Sequence, residues 1–325
     1  MKKNFNKTIS EKEIIYKHLK KLNFNKKESF DFKNDGAILI SKKNKQLVVT
    51  NDSIVESIDF FKDDDPESIA QKIMIYNLSD LSAMGAVPYS YTLSLSLPEG
   101  IQPNWIKKFT KKLFILQKKY KIFLIGGDIS KSKEIIISGN FYGYVKKNTS
   151  IKREFSNVGD SIWITGNVGD SKIGLMIKKK QINISKNYKN YFLRKYFFPQ
   201  HSTIGNKLIN IANTAIDVSD GFCDDLFKLI DKKNGANLFF SKIPFSPLAK
   251  ILIKKNLIDP FQLLNAGDDY QLIFTTPSKY DTKIISIAEN TKCKISKIGT
   301  IIDRSGLYLD GKKMLNHHTS YQYLF

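Results

Sequence analysis

From Tyr89 to Leu97 the chain alternates apolar and small polar side chains: Tyr89, Tyr91, Leu93, Leu95 and Leu97 against Ser90, Thr92, Ser94 and Ser96. A period of two is that of a strand with one buried face, and Pro98 and Gly100 close it. Ahead of it, Asp65-Pro66 supplies an N-cap and a first helical residue. Ile69, Ile73 and Tyr76 follow at spacings of four and three, which predicts a helix running toward Asn77 and Asp80. Beyond the strand, Ile106, Phe109, Leu113, Leu116 and Tyr120 predict a second amphipathic helix. Ile122 to Ile125 then read as a short strand ending at Gly126-Gly127-Asp128, and Glu134 to Val145 as another. Lys146 to Asn157 is polar and basic, and the pattern restarts at Ile162-Trp163-Ile164-Thr165. A domain boundary near residue 150 follows, with an N-terminal domain over 1–150 and a C-terminal domain over 151–325.

The second half brings its own loops. Gly166-Asn167-Val168-Gly169-Asp170-Ser171 leads from that strand into a helix with Ile173, Leu175, Met176 and Ile177. Small residues there let backbone N–H groups approach an anion at a helix start, though the same pattern also serves a plain turn. Asp217-Val218-Ser219-Asp220-Gly221 leads into Phe222, Leu226, Leu229 and Ile230, a predicted helix that Ser219 or Asp220 would cap.

Composition narrows the class. A 325-residue chain that is 42% hydrophobic suits two domains of ordinary size. No apolar run approaches the roughly 18 to 20 residues that cross a bilayer. The basic N-terminus is followed by Glu11, Glu13 and Lys17 rather than an apolar segment, so no secretory signal is read there. Cys223 and Cys293 have no partner at disulfide-framework or zinc spacing, and a cytoplasmic setting is expected. The formal net charge of +21 suggests nucleic acid, yet only Arg153, Arg194 and Arg304 of the 52 basic residues are arginines. Base readout favours arginine, and no zinc-finger, RNP-like or basic-zipper pattern occurs. The lysines read as a solvated surface, and neither a nucleic-acid nor a membrane partner is expected.

Against that charge, five islands collect aspartates: Asn34-Asp35-Gly36, Thr50-Asn51-Asp52-Ser53, Asn77-Leu78-Ser79-Asp80, Gly126-Gly127-Asp128 and Asp217-Val218-Ser219-Asp220. Their apolar or small flanks predict partial burial, and carboxylates drawn out of water need cations. Magnesium suits hard oxygen ligands and commonly bridges carboxylates to substrate phosphates. Thr50 to Ser53 follow Leu47-Val48-Val49 and are expected at a strand end, where open sheets bind ligands; an Asx or ST turn is the alternative. Asp80, followed by Leu81, Ala83, Met84 and Gly85, is the island residue least expected to be solvated. None of the four histidines falls in an island, and no GxxxxGK[ST] loop is present. Phosphoryl transfer asks for little beyond positioning and charge neutralisation, which metals held by carboxylates supply.

Asn77-Leu78-Ser79-Asp80-Leu81-Ser82-Ala83-Met84-Gly85-Ala86, Gly126-Gly127-Asp128, Thr165-Gly166-Asn167-Val168-Gly169-Asp170-Ser171, Ile216-Asp217-Val218-Ser219-Asp220-Gly221 and Ala266-Gly267-Asp268-Asp269-Tyr270-Gln271-Leu272 occur in the order of the thiamine-monophosphate kinase motifs. The chain resembles that family from about residue 30 onward. The resemblance implies an α/β (α+β), two-domain aminoimidazole-ribonucleotide-synthetase-like fold whose N-terminal sheet domain forms a homodimer. It implies direct transfer of the ATP γ-phosphoryl group to thiamine monophosphate, with several Mg²⁺ ions and ATP as co-substrate. Carried over by position, the metal ligands are Asp35, Thr50, Asn51, Asp52, Asp80, Asp128, Asp217 and Asp220. Asp52, Asp80 and Asp128 are the catalytic set. Gly127, Asp128, Arg153 and Ser219 are the ATP contacts. Asp59, Asp268 and Tyr321 are the acceptor contacts.

The sequence departs from the family pattern at several of these positions. Lys33-Asn34-Asp35 replaces Gly-Asp-Asp, Asn51 stands for a threonine, Asp59 for a histidine, and Asp268 for a glutamate. The metal and ATP side is better kept than the acceptor side. Another ATP-dependent enzyme of this fold and a catalytically silent nucleotide-binding scaffold are the alternative readings.

Overall fold

The computed structural model describes residues 9–314 apart from 35, 155 and 232. Asp35 and Tyr321 lie outside the described residues. The chain divides into two compact units. One holds the residues up to Leu81 together with Val87–Lys147, and the other holds Ser82–Ala86 with the residues from Asn148 onward.

In the first unit, strands β1 (Lys45–Val55), β2 (Val87–Pro98), β3 (Phe123–Ser132) and β4 (Ile136–Lys146) form one sheet in the order β1-β4-β2-β3. β1/β4 and β4/β2 are antiparallel and β2/β3 parallel. Helix α1 (Pro66–Ala83) links β1 to β2, and α2 (Pro103–Tyr120) makes the crossover from β2 to β3. Helix α1 starts as its sequence predicts: Asp65 accepts the Glu67 N–H at 2.9 Å. Leu93, Leu95 and Leu97 are buried while Thr92, Ser94 and Ser96 are only partly so, the outcome of period-two patterning.

Two expectations are corrected here. Thr50 to Ser53 lie inside an eleven-residue strand, not at its end, because β1 pairs with β4 throughout its length. Cross-strand pairing overrides the poor strand propensity of Asn and Asp. The third strand does not stop at Gly126 but runs to Ser132, absorbing the glycines through a register shift opposite Tyr91/Thr92. The helix expected to run toward Asn77 and Asp80 includes both and ends at Ala83.

The second unit is built on a seven-stranded sheet, β5 (Ser161–Thr165), β6 (Thr214–Asp217), β7 (Gly235–Leu238), β8 (Leu272–Thr276), β9 (Ile295–Ile302), β10 (Gly306–Leu309) and β11 (Lys312–Lys313), in the order β11-β10-β7-β9-β5-β8-β6. Successive residues of β5, β6 and β8 enter two different cores. Ile162, Ile164, Ile216 and Ile273 belong to one, and Trp163, Ala215, Leu272 and Phe274 to the other. The sheet is therefore covered on both faces, which accounts for strands apolar at nearly every position. Helices α3 (Asp170–Lys178), α4 (Lys186–Phe197), α5 (Phe222–Phe227), α6 (Pro247–Lys254), α7 (Pro260–Leu264) and α8 (Asp281–Thr291) complete it. Among the described residues no helix is long and apolar enough to cross a membrane.

Candidate active site

In the first unit, side chains lace β1 to α1. Thr50 and Asp52, two apart on β1, share one face. The Thr50 hydroxyl donates to Asp80 Oδ2. The Asp52 N–H donates to Asn77 Oδ1 at 3.1 Å, and Asn77 Nδ2 donates back to the Ile73 carbonyl at 3.0 Å. Asn77 is fully buried. Its amide thus fixes where Asp52 stands relative to the helix that carries Asp80.

Asn51 is on the other face. Its Nδ2 donates to the Gly139 carbonyl at 3.1 Å and to Asn140 Oδ1 at 3.0 Å. Asn140 in turn donates to Thr92 Oγ1 at 3.3 Å. The side chain of Asn51 is therefore not brought to Asp52 and Asp80. Asp59 closes the turn after β1: its Oδ2 accepts the Val55 N–H at 2.7 Å, and its carbonyl accepts the ammonium of buried Lys72 at 2.6 Å.

Gly127 sits where backbones touch, since a Cβ there would come within 1.9 Å of the Leu93 carbonyl oxygen. Across the sheet Asp52 is in register with Gly139, Leu93 and Gly127. Asp128 stands one row along, in line with Ser53, Ser138 and Ser94. Asp52 and Asp128 are on opposite edge strands, about 14 Å apart at three strand spacings, and a single sheet does not bring them together.

In the second unit two loops are fastened to each other. Gly267 is pressed against Ser219, where a Cβ would meet the Ser219 carbonyl oxygen at 1.8 Å. The Asp268 N–H donates to the Ser219 carbonyl at 3.0 Å, and the Tyr270 N–H to that of Val218 at 2.9 Å. This brings Asp268 beside the Asp217–Gly221 loop. Asp268 and Tyr270 both have positive φ, 63° and 51°, strain held in place by the surrounding contacts. The Tyr270 hydroxyl donates to Asp268 Oδ1 at 2.8 Å.

Between these two, Asp269 turns inward and accepts the N–H groups of Gly169 and Ser171. The group that fills this helix start is the protein's own Asp269 carboxyl. Burial pushes the Asp269 carboxyl up to about 8, and the charges of Asp170 and Asp268 act in the same direction. Asp170 is also buried, accepting from Ser246 at 2.6 Å and Tyr191 at 2.8 Å.

Asp217 is buried at the end of β6, and Ser219 and Asp220 follow it. Neither Ser219 nor Asp220 caps α5. The N–H groups of Ser219, Asp220 and Gly221 all donate to Asp225 Oδ2, at 3.0, 3.0 and 3.1 Å. Lys228 bridges Asp220 Oδ2 at 2.6 Å and Asp225 Oδ1 at 2.7 Å. Arg153 is exposed next to Lys152, which pairs with Thr214 at the start of β6; Asp217 ends the same strand. Asp225, Lys228 and Asp269 are the residues that reading the islands alone passes over. The signal for Asp225 was a second acid five residues after Asp220, inside the apolar run that marks the helix.

Among the described residues no three His, Cys, Asp or Glu side chains gather as a metal site. The donor set still fits magnesium, which is usually held by one or two carboxylates plus substrate phosphates rather than by a cage of protein ligands. Thr50, Asp52 and Asp80 in one unit, and Asp217 and Asp220 in the other, offer oxygen alone.

Comparison with known proteins gives the same answer as the motifs. Residues 33–145 match the AIR synthase related protein N-terminal domain and residues 157–312 the corresponding C-terminal domain. The thiamine-monophosphate kinase of Buchnera aphidicola subsp. Acyrthosiphon pisum is 38% identical over 305 residues, covering 90% of this chain and 91% of its own. The chain belongs to the thiamine-monophosphate kinase family. Among solved structures, the family's enzyme from Stenotrophomonas maltophilia superposes with a TM-score of 0.83 at 28% identity, covering 95% of this chain and 99% of that one. AaThiL complexed with AMPPCP and TMP superposes at 0.76, with 27% identity over 85% and 87% of the two chains. The two-domain α/β fold implied by the motifs is thus the fold observed.

Proposed function

We propose that this chain transfers the γ-phosphoryl group of ATP to thiamine monophosphate, giving thiamine diphosphate and ADP. Membership of the family supports the activity, and the relative complexed with AMPPCP and TMP supports the two substrates. The observation in this chain that carries the reading is the lacing of Thr50 and Asp52 to Asp80 and Asn77, which holds two carboxylates at one seam of strand and helix.

The acceptor is a phosphate monoester, largely ionised at neutral pH because its second pKa is near 6. It needs no general base, and the obstacle is repulsion between two polyanions. Magnesium, when bound, supplies the neutralising charge. Thr50, Asp52 and Asp80 of the first unit and Asp217 and Asp220 of the second are proposed magnesium ligands, and Asp35 and Asn51 belong to the same proposed set. Gly127 lets the backbone of β3 lie close enough to carry Asp128 to the ATP phosphates, while Arg153 and Ser219 contact ATP. Arginine suits that role because its planar fork binds phosphate through two bonds. Asp268, which is held at positive φ, is a proposed acceptor contact, as are Asp59 and Tyr321.

A homodimer belongs to the proposal. Among the described residues β1 and β3 are the edges of the four-stranded sheet, and β1 exposes Leu47 and Val49. Unpaired edges invite a partner. Two copies related by a two-fold axis can pair β1 of one with β3 of the other at two seams.

Phosphorus NMR of the purified protein with ATP, magnesium and thiamine monophosphate tests the function. Thiamine diphosphate and ADP forming in equal amounts is the expected result. ADP without thiamine diphosphate overturns the acceptor assignment, and no reaction overturns the kinase.

A further inference from the structure

The Asp217–Gly221 loop is shaped around an internal ion pair. Three successive N–H groups converge on Asp225 Oδ2, an anion nest filled by a carboxylate four to six residues downstream. Asp225 is fully buried, and burial pushes its carboxyl above the usual range. The Lys228 ammonium offsets that cost by donating to Asp225 Oδ1 at 2.7 Å. The same ammonium lies 2.6 Å from Asp220 Oδ2.

The two carboxylates differ in freedom. The side chain of Asp225 is 0% exposed, that of Asp220 49%, and that of Lys228 39%. The ammonium thus has one fixed partner and one that can move. We infer that Lys228 is a positioning residue of the metal-holding loop: its ammonium draws Asp220 toward Asp225, and a divalent cation arriving at Asp220 takes that carboxylate over while the ammonium stays on Asp225. This rests on the proposed role of Asp220 as a metal ligand. Two cations on one exposed carboxylate repel each other across a few ångströms, whereas Asp225, 0% exposed and held by three N–H groups, stays within 2.7 Å of the ammonium. Lysine suits an exchange of this kind, since its ammonium is a point charge on a flexible stem.

The test is Mn²⁺ binding, followed by electron paramagnetic resonance, to the full-length protein with a non-hydrolysable ATP analogue. Lys228→Gln removes the competing charge and is expected to tighten Mn²⁺ binding at least about fivefold, while Lys228→Arg stays within about twofold of the parent. Asp220→Asn is expected to weaken binding. Unchanged affinity in Lys228→Gln, with Asp220→Asn weakened, overturns the role of Lys228 and leaves that of Asp220 standing. Unchanged affinity in Asp220→Asn overturns both. A measurement on the parent protein does not depend on a variant folding: the ¹⁵Nζ resonance of Lys228 should move on adding Mg²⁺ with the analogue, and an unmoved resonance overturns the exchange.

Discussion

The Thr50 hydroxyl donates to Asp80 Oδ2, joining the middle of β1 to the interior of α1. A hydroxyl spent in this way orients the carboxylate. Asp80→Asn and Asp52→Asn should each lose at least about tenfold in kcat, a barrier increase of about 1.4 kcal/mol, with unfolding transitions near those of the parent. Thr50→Val should raise the magnesium concentration needed for half-maximal rate more than it lowers kcat at saturating magnesium. Steady-state kinetics across a magnesium series decides, and near-normal turnover in both Asp variants rejects the metal assignment.

Asn77 is a different case, because what it touches is protein. Replacing it with Ala removes the side-chain acceptor of the Asp52 N–H in a buried setting, a loss of about 1–3 kcal/mol. Urea unfolding should register that loss. A variant as stable as the parent shows that water replaces the amide.

Asp269 makes stability depend on pH with a definite sign. In the unfolded chain its carboxyl ionises near 3.9, whereas in the folded protein burial holds it up to about 8. Between these values the folded state keeps a proton that the unfolded state has released, so this group's contribution to stability falls as pH rises from about 4 to about 8 and is level beyond. Urea unfolding at pH 5 and pH 8.5 should show the parent losing more stability on the alkaline side than Asp269→Asn. Parallel pH profiles in the two proteins would falsify this.

Asp52 and Asp128 offer a test of the dimer. If one site takes Asp52 from one copy and Asp128 from the other, co-refolding the inactive Asp52→Asn and Asp128→Asn chains restores one intact site in each mixed dimer. That amounts to about a quarter of parental activity. No recovery, with mixed dimers demonstrated by mass spectrometry, places both residues in sites of a single chain.

Arg153→Lys should raise KM for ATP with little effect on that for the acceptor, because an ammonium does not reproduce a two-bond fork. Unchanged ATP kinetics removes Arg153 from the site.

Much of this protein was legible along the chain. Alternation from Tyr89 to Leu97 gave β2, Asp65-Pro66 gave the start of α1, and the ordered motifs gave the family, because local periodicity and capping depend on neighbours a few residues away. The sequence also named Asp52, Asp80, Asp217 and Asp220 as the acids to watch. It could not say that Thr50 to Ser53 lie mid-strand, since that depends on β4, some ninety residues later, pairing along all of β1. Nor could it say that Asn51 faces away from Asp52, that Asp225 rather than Ser219 holds the loop before α5, or that Asp269 fills the helix start beyond Gly169. Each is a contact between residues whose side chains are ordinary for a turn or a cap. Only packing, which buries one carboxylate and leaves its neighbour exposed, separates the residue that shapes the site from the residue that serves it.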